Sequence, residues 1–270
     1  MRLRHLLPPI LLAGVTTALA AHDLFLKLSS YVVRPESRVR ITALNGTFTK
    51  SENSIARARV ADLALVGPGG RRALDTTAIA ADGPRTAIQA EVGPAGTYVA
   101  GLSLRPSSIS LKGEEFNAYL KEEGLESVIE ARRAAGELAA PATERYAKHV
   151  KVVFQAGAAL SDGWNAVLGY PAEIIPLANP YALHPGDTLR LELRVAGTPA
   201  AGVTAIAGGR NQSGGRLAEQ HLHANGRGVV PVVLRSAGTW YVKFISMTRS
   251  SEKGVDYVSQ WATLTFAVRR

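Results

Sequence analysis

Apolar and polar residues alternate with a two-residue period over most of this chain. Leu24, Leu26 and Leu28 fall on one side with Phe25 and Lys27 opposite, the signature of a strand with one face in a core. After a turn at Pro35-Glu36-Ser37 the period resumes from Val39 to Leu44, and Asn45-Gly46 signals the next reversal. Ala61 to Val66 and Ala87 to Val92 read as further strands, with Gly67-Pro68-Gly69-Gly70 as a tight connection. Later in the chain, Leu189 to Val195, Val203 to Ala207, Gly228 to Leu234, Trp240 to Met247 and Trp261 to Val268 repeat the pattern. Gly208-Gly209 and Gly214-Gly215 read as the tip of a hairpin, and Thr248 to Gly254 as a polar loop.

The two halves echo one another. Pro94-Ala95-Gly96-Thr97-Tyr98-Val99 returns as Ser236-Ala237-Gly238-Thr239-Trp240-Tyr241-Val242, a glycine-bearing turn launching an aromatic strand in each case. Short strands at regular spacing, separated by turn residues, are the mark of a sandwich. The expected fold is mainly β: two immunoglobulin-like antiparallel β-sandwich domains with a helical insertion between them.

The insertion shows as a change of period. Phe116, Leu120, Leu125, Val128, Ile129 and Arg132 recur at threes and fours between Glu114 and Leu138, with Gly124 as the break and Pro141 as the end. A second helical turn is expected from Thr143 to Lys148, then a strand from Val150 to Phe154. Gly163 to Pro180, with Tyr170-Pro171, Ile175-Pro176 and Asn179-Pro180, reads as an extended connector. The expected division is a signal peptide at 1–20, a first sandwich at 21–111, the helical insertion at 112–149, a strand and Pro-rich connector at 150–180, and a second sandwich at 181–270.

The amino terminus carries the sharpest chemistry. Arg2, Arg4 and His5 precede an apolar run from Leu6 to Leu19 that is too short to anchor in a bilayer, and Ala18 and Ala20 are small residues suited to a peptidase. This predicts export, with a periplasmic address. Cleavage after Ala20 would leave the Ala21 amine, the His22 amide nitrogen and the His22 imidazole to form two fused chelate rings. Cleavage after Ala21 would leave a two-toothed brace of the His22 amine and imidazole. Square-planar nitrogen sets of this kind suit Cu(II) or Ni(II). The alternative is that His22 simply begins the first strand.

Composition narrows the field. The formal net charge of +9 falls to +7 once Arg2 and Arg4 leave with the leader, and the excess is spread thinly. With no basic block and no basic stretch interleaved with aromatics, nucleic acid is not an expected partner. The absence of cysteine excludes thiolate metal sites and disulfides. No later apolar run reaches bilayer length, so the processed chain is not expected to span a membrane.

Six histidines are present. His149, at the expected junction of helix and strand, either caps a carbonyl or reaches a metal site as a distant imidazole. His221 and His223 lie two apart in a strand, a pair that either grips a metal or stands exposed beside a turn. His184, before Pro185, is expected to face solvent. Glu114-Glu115 and Glu122-Glu123 read as a solvated helix face, and Trp240, Tyr241 and Trp261 as core. No G-x-S-x-G elbow, H-E-x-x-H pair or Walker loop occurs, so no enzyme is expected.

Several stretches together resemble a family of exported bacterial proteins of unknown function known as NikM-like nickel/cobalt-uptake components: Ala21-His22-Asp23-Leu24-Phe25-Leu26-Lys27, Leu44-Asn45-Gly46-Thr47-Phe48 with Ser51-Glu52-Asn53, Tyr146-Ala147-Lys148-His149, Asn179-Pro180-Tyr181 and Trp261-Ala262-Thr263-Leu264-Thr265-Phe266. In nickel-uptake components an amino-terminal Met-His pair supplies amine, amide and imidazole nitrogens, with a further histidine as fourth ligand. The resemblance implies a site at Ala21 and His22 with a further histidine; the expected function is then a periplasmic metal-binding accessory that takes Ni(II), Co(II) or Cu(II) there, with His149 as the expected distant ligand and an envelope transport protein as the expected partner. Those components have transmembrane helices, whereas none is expected in the processed chain. The alternative function is a non-catalytic immunoglobulin-like ligand-binding or adhesion module, with recognition in the loops at Gly208 to Gly215 and Thr248 to Gly254.

Overall fold

The computed structural model describes residues 22–270; the expected leader and Ala21 lie outside the described residues. The first half contains β1 (Asp23–Leu28), β2 (Val32–Val33), β3 (Ser37–Gly46), β4 (Val60–Gly67), β5 (Gly70–Ala73), β6 (Ile79–Asp82), β7 (Arg85–Val92), β8 (Gly96–Leu104) and β9 (Ser107–Leu111). Helices α1 (Gly113–Glu122) and α2 (Glu126–Ala134) follow. The second half contains β10 (Ala142–Ala156), β11 (Ala172–Pro176), β12 (Thr188–Val195), β13 (Thr198–Pro199), β14 (Thr204–Asn211), β15 (Gln220–His223), β16 (Val229–Val233), β17 (Gly238–Arg249) and β18 (Tyr257–Val268). With 52% strand and 13% helix, the fold is mainly β with a helical insertion.

One long sheet, ordered β15-β14-β17-β18-β10-β8-β4-β5, runs through both halves. Its two parts are joined by β10 and β18, which pair in parallel from Glu144↔Tyr257 to Val152↔Thr265. Two smaller sheets, β1-β3-β7-β6 and a four-stranded one centred on β12, pack against it. They cover opposite faces. Successive side chains of a strand point to opposite sides, and on β10 Lys148 reaches the β1 end of the chain while Lys151 pairs with Glu173 of β11. The helix pair lies on the β1 face, where Phe116, Tyr119, Leu120 and Leu125 pack on Ile245, Tyr257 and Trp261. Tyr119 stacks flat on Trp261 at 5.7 Å between ring centroids.

Period two accounts for the core. Leu24, Leu26, Val39, Ile41, Leu189, Leu191 and Leu193 are all buried, and one continuous cluster links both halves through Val150, Val152, Phe154, Leu264 and Phe266. Burying such side chains contributes about 1.5–3 kcal/mol each against the unfolded chain.

Three local expectations are corrected. Thr143 to Lys148 is strand, not helix, because Ala142–Tyr146 pairs with β9 and Glu144–Val152 pairs with β18, so both edges of β10 are claimed. Gly208-Gly209 lies inside β14 opposite Tyr241 and Trp240, and the reversal falls later, around Gly214. A Cβ on Gly208 would come within 2.5 Å of the Tyr241 hydroxyl oxygen, so the glycine makes room for that ring. Third, β17 continues through Arg249, which shortens the expected polar loop.

Candidate functional site

A cleft of about 450 Å³ opens on the β1 face of the long sheet, between the small sheet and the helix pair. Its walls are His22 and Asp23 at the start of β1, the Gly46–Thr49 turn, Tyr119, Glu122 and Glu123 at the end of α1, and Ile206, Tyr241 and Lys243 from the floor. Arg210, Arg216 and Glu219 form the outer rim. The turn stands here because Ser51 and Asn45 knit it together: Asn45 N–H donates to Ser51 Oγ at 2.9 Å and Glu52 N–H donates to Asn45 O at 2.9 Å. Phe25, Phe48 and Tyr241 close the inner wall as one aromatic cluster, with centroid separations of 4.8–5.2 Å.

The first strand is gripped from distant parts of the chain at three successive residues. Lys148 Nζ donates to the carbonyl of His22, Lys243 Nζ to Asp23 Oδ2 at 2.7 Å, and Thr263 Oγ1 to Leu24 O at 2.7 Å. Lys148 is buried, lies over the rings of Tyr146 and Trp261, and is pushed down to about 8 by that burial. The amino-terminal strand is therefore held at a defined place on a rigid sheet.

The His22 ring is oriented as well. Its Nε2 lies 2.9 Å from Glu52 Oε2, and its side chain is 22% exposed. Glu52 stands there as a charge partner of the ring, and Nδ1 is the ring nitrogen nearer the backbone. A carboxylate in this position is how metal-binding imidazoles are commonly fixed in orientation and tautomer.

Deeper in the cleft, Lys243 lies between two carboxylates, 2.7 Å from Asp23 Oδ2 and 2.8 Å from Glu123 Oε2. Burial works to lower the Lys243 ammonium, but the Asp23 and Glu123 charges outweigh it and push it up. Burial and the Asp23 charge push Glu123 up to about 7 against the pull of Lys243. At the rim, burial would raise Glu219, yet the hydrogen bonds from Arg216 and Tyr241 hold it below the usual range.

His149 is elsewhere. It neighbours Lys148 on β10 and so points to the opposite face of the long sheet. There Nδ1 is 2.9 Å from Ser103 Oγ and Nε2 is 2.8 Å from Gln260 Oε1. Gln260 Oε1 accepts from Nε2–H, so Nδ1 accepts from the Ser103 hydroxyl, and both nitrogens are used. Burial lowers the ring's pKa. The structure thus separates His22 from His149 by the thickness of the sheet, and the expected distant ligand does not join the amino terminus. His221 and His223 are exposed on β15, and His184 is exposed in its turn. Among the described residues, no three His, Cys, Asp or Glu side chains cluster as a metal cage.

Sequence reasoning missed Glu52, Lys148, Lys243 and the burial of Glu123. The expected solvated face included Glu123, but Gly124 adopts φ +69°, turning the chain out of α1 just after it and directing Glu123 to the floor. The signals available were a lysine in an otherwise apolar strand, at Lys243, and a carboxylate beside a helix-ending glycine.

No helix among the described residues is long and apolar enough to cross a membrane. A search of curated proteins finds no match. Among solved structures, a two-domain fibronectin type-III segment of chicken tenascin aligns at 12% identity over 87% of this chain and 95% of that one, with a TM-score of 0.20. The sequence profile described as Domain of unknown function (DUF4198) matches residues 19–248, and with that span covering most of the chain, the protein belongs to this family.

Proposed function

We propose that this protein is an exported metal-binding accessory of the cell envelope that holds Cu(II), Ni(II) or Co(II) at an amino terminus made by removal of a leader. The observation that carries the reading is the His22 ring at the wall of a cleft, in contact with Glu52 through Nε2, with Nδ1 the ring nitrogen nearer the new amino terminus. Nδ1 is the atom that closes a six-membered chelate ring, with the His22 amine if the leader ends at Ala21, or with the His22 amide nitrogen if it ends at Ala20. Either set fits the preference of Cu(II) and Ni(II) for nitrogen donors. The site's chemistry comes from the processed backbone, consistent with the lack of a side-chain cage among the described residues. His149 has no part in it. The resemblance to NikM-like nickel/cobalt-uptake components supports the same reading and suggests an envelope transport protein as the recipient.

Titrating correctly processed protein with Cu(II) tests this. One equivalent should bind, and acetylating the terminal amine should abolish binding. Equal affinity in the acetylated protein overturns the reading.

A second reading, a non-catalytic ligand-binding module, is favoured by the cleft itself, whose rim of Arg210, Arg216 and Glu219 suits a polar ligand. It predicts recovery of an envelope partner in the presence of a chelator, and loss of that partner on Arg210→Ala.

A further inference from the structure

Three strands set charge and aromatic rings in order along the cleft. On β1, Asp23, Phe25 and Lys27 alternate onto one face, and on β14 Ile206, Gly208 and Arg210 do the same, paired with Lys243, Tyr241 and Thr239 of β17. One end of the cleft is acidic: Lys243 bridges Asp23 and Glu123, and Glu122 lines the same wall. Lys148, on the His22 carbonyl, and Glu52, on the His22 ring, belong to this end too. The middle is aromatic, made by Phe25, Phe48 and Tyr241. The other end is basic, because Lys27 and Arg210 stand four residues along their strands from Asp23 and Ile206, about 13 Å at the rise of a strand.

The two ends are finished differently. Lys243 has both its carboxylates and Arg216 pairs with Glu219 at 2.8 Å, whereas among the described residues Lys27 and Arg210 have no carboxylate partner. Both are part-buried, and both are tethered. Lys27 Nζ donates to Phe48 O at 3.1 Å and lies 4.0 Å from the centre of the Phe48 ring, while Arg210 Nη1 donates to Gly214 O at 2.8 Å. The remaining N–H groups of each have no protein acceptor among the described residues. Burial and the Arg210 charge push the Lys27 ammonium down, so the two cations are close enough to repel one another. Like charges held together away from bulk water cost stability, and an anion placed between them offsets that cost.

We propose that the cleft takes a small monocarboxylate, with its carboxylate between Lys27 and Arg210 and its apolar body along Phe48 and Tyr241. This rests on the second reading above, that the cleft holds a polar ligand, and it names the ligand's class. A guanidinium fork matches a carboxylate, and the two carbonyl tethers hold the donors in place before the ligand arrives. The volume of about 450 Å³ is that of a small-molecule site. Selectivity follows from the order of the layers. The aromatic middle rewards an apolar body, and the carboxylates of Asp23, Glu122 and Glu123 repel a second negative charge at the ligand's far end.

Titrating metal-free, processed protein with hexanoate, followed by nuclear magnetic resonance, tests the proposal. One equivalent should bind saturably, acetate and the dianion adipate should bind more weakly, and neutral hexanamide should not bind. Arg210→Gln and Lys27→Gln, each shown folded by circular dichroism, should each weaken hexanoate on the order of tenfold or more. Arg34→Gln removes a positive charge outside the cleft and should leave the affinity unchanged. Failure of hexanoate to saturate overturns the proposal, as does equal binding of hexanamide or undiminished binding in both cleft variants. Tighter binding of inorganic phosphate than of hexanoate overturns the assigned class. Should an envelope partner be recovered and lost on Arg210→Ala while hexanoate fails, the second reading stands and this proposal falls.

Discussion

His22 and His149 stand on either side of one sheet, and their surroundings differ in every respect that matters to binding. The His149 side is closed: Ser103 and Gln260 occupy both ring nitrogens, Tyr170 packs at 5.9 Å, and Lys151 and Glu173 pair nearby with 3% exposure each. The His22 side is a gap left where one small sheet ends and the helix pair begins, with Asp23, Glu123 and Lys243 at its floor. The closed polar chamber serves stability, whereas the binding proposed above belongs to the open cleft beside His22. The comparison teaches that a histidine's chemical competence depends on what its layer leaves unfinished.

The first way to break this comparison is on the closed side. Glu173→Gln strands the Lys151 ammonium in the interior and removes the best acceptor for the Leu168 and Gly169 N–H groups, so it should cost about 3–5 kcal/mol in urea unfolding. An unchanged midpoint would mean the chamber is not structural. His149→Ala leaves Ser103 and Gln260 unpaired and should cost about 1–3 kcal/mol, while Cu(II) affinity of the folded protein stays at the wild-type value. Loss of binding in that variant would reunite the two histidines in one site.

The pH dependence sharpens the point. Burial lowers the folded pKa of His149 below the ordinary 6.5, so below that pH the unfolded chain takes up a proton that the folded chain refuses. Stability contributed by His149 is present above 6.5 and is lost as pH falls toward the folded value. The advantage of wild type over His149→Gln in urea should therefore be largest near neutral pH and shrink in mildly acidic buffer. A constant difference contradicts a buried neutral ring. The smallest stability effect is expected on the open side. Glu52→Gln touches a partly exposed pair and should change stability by no more than about 1 kcal/mol. It should nonetheless weaken Cu(II) binding on the order of tenfold or more, since it loosens the ring's orientation. Unchanged Cu(II) affinity would show that Glu52 does not orient the ligand.

The fold was legible because its cause is local. Alternation in Leu24 to Leu28, Val39 to Leu44 and Leu189 to Val195, together with the Gly-Thr-Tyr and Gly-Thr-Trp echo, identifies strands that do begin at Gly96 and Gly238. The parallel union of β10 and β18 was not legible, since it pairs residues more than a hundred positions apart, and Thr143 to Lys148 was misread for that reason. The same holds at the site. His22 could be singled out from its neighbours in sequence, but Glu52, Lys148 and Lys243 reach it or its strand only through tertiary packing, and His149 was excluded by a one-residue difference in strand facing.

The most direct measurement compares Cu(II) affinity in two forms of the same folded chain: the naturally processed protein, and one carrying a several-residue extension ahead of Ala21. The account predicts one tightly bound equivalent in the processed form, with nitrogen donors in its electron paramagnetic resonance spectrum, and loss of that binding in both the extended form and His22→Ala. Equal binding by the processed and extended forms would contradict it.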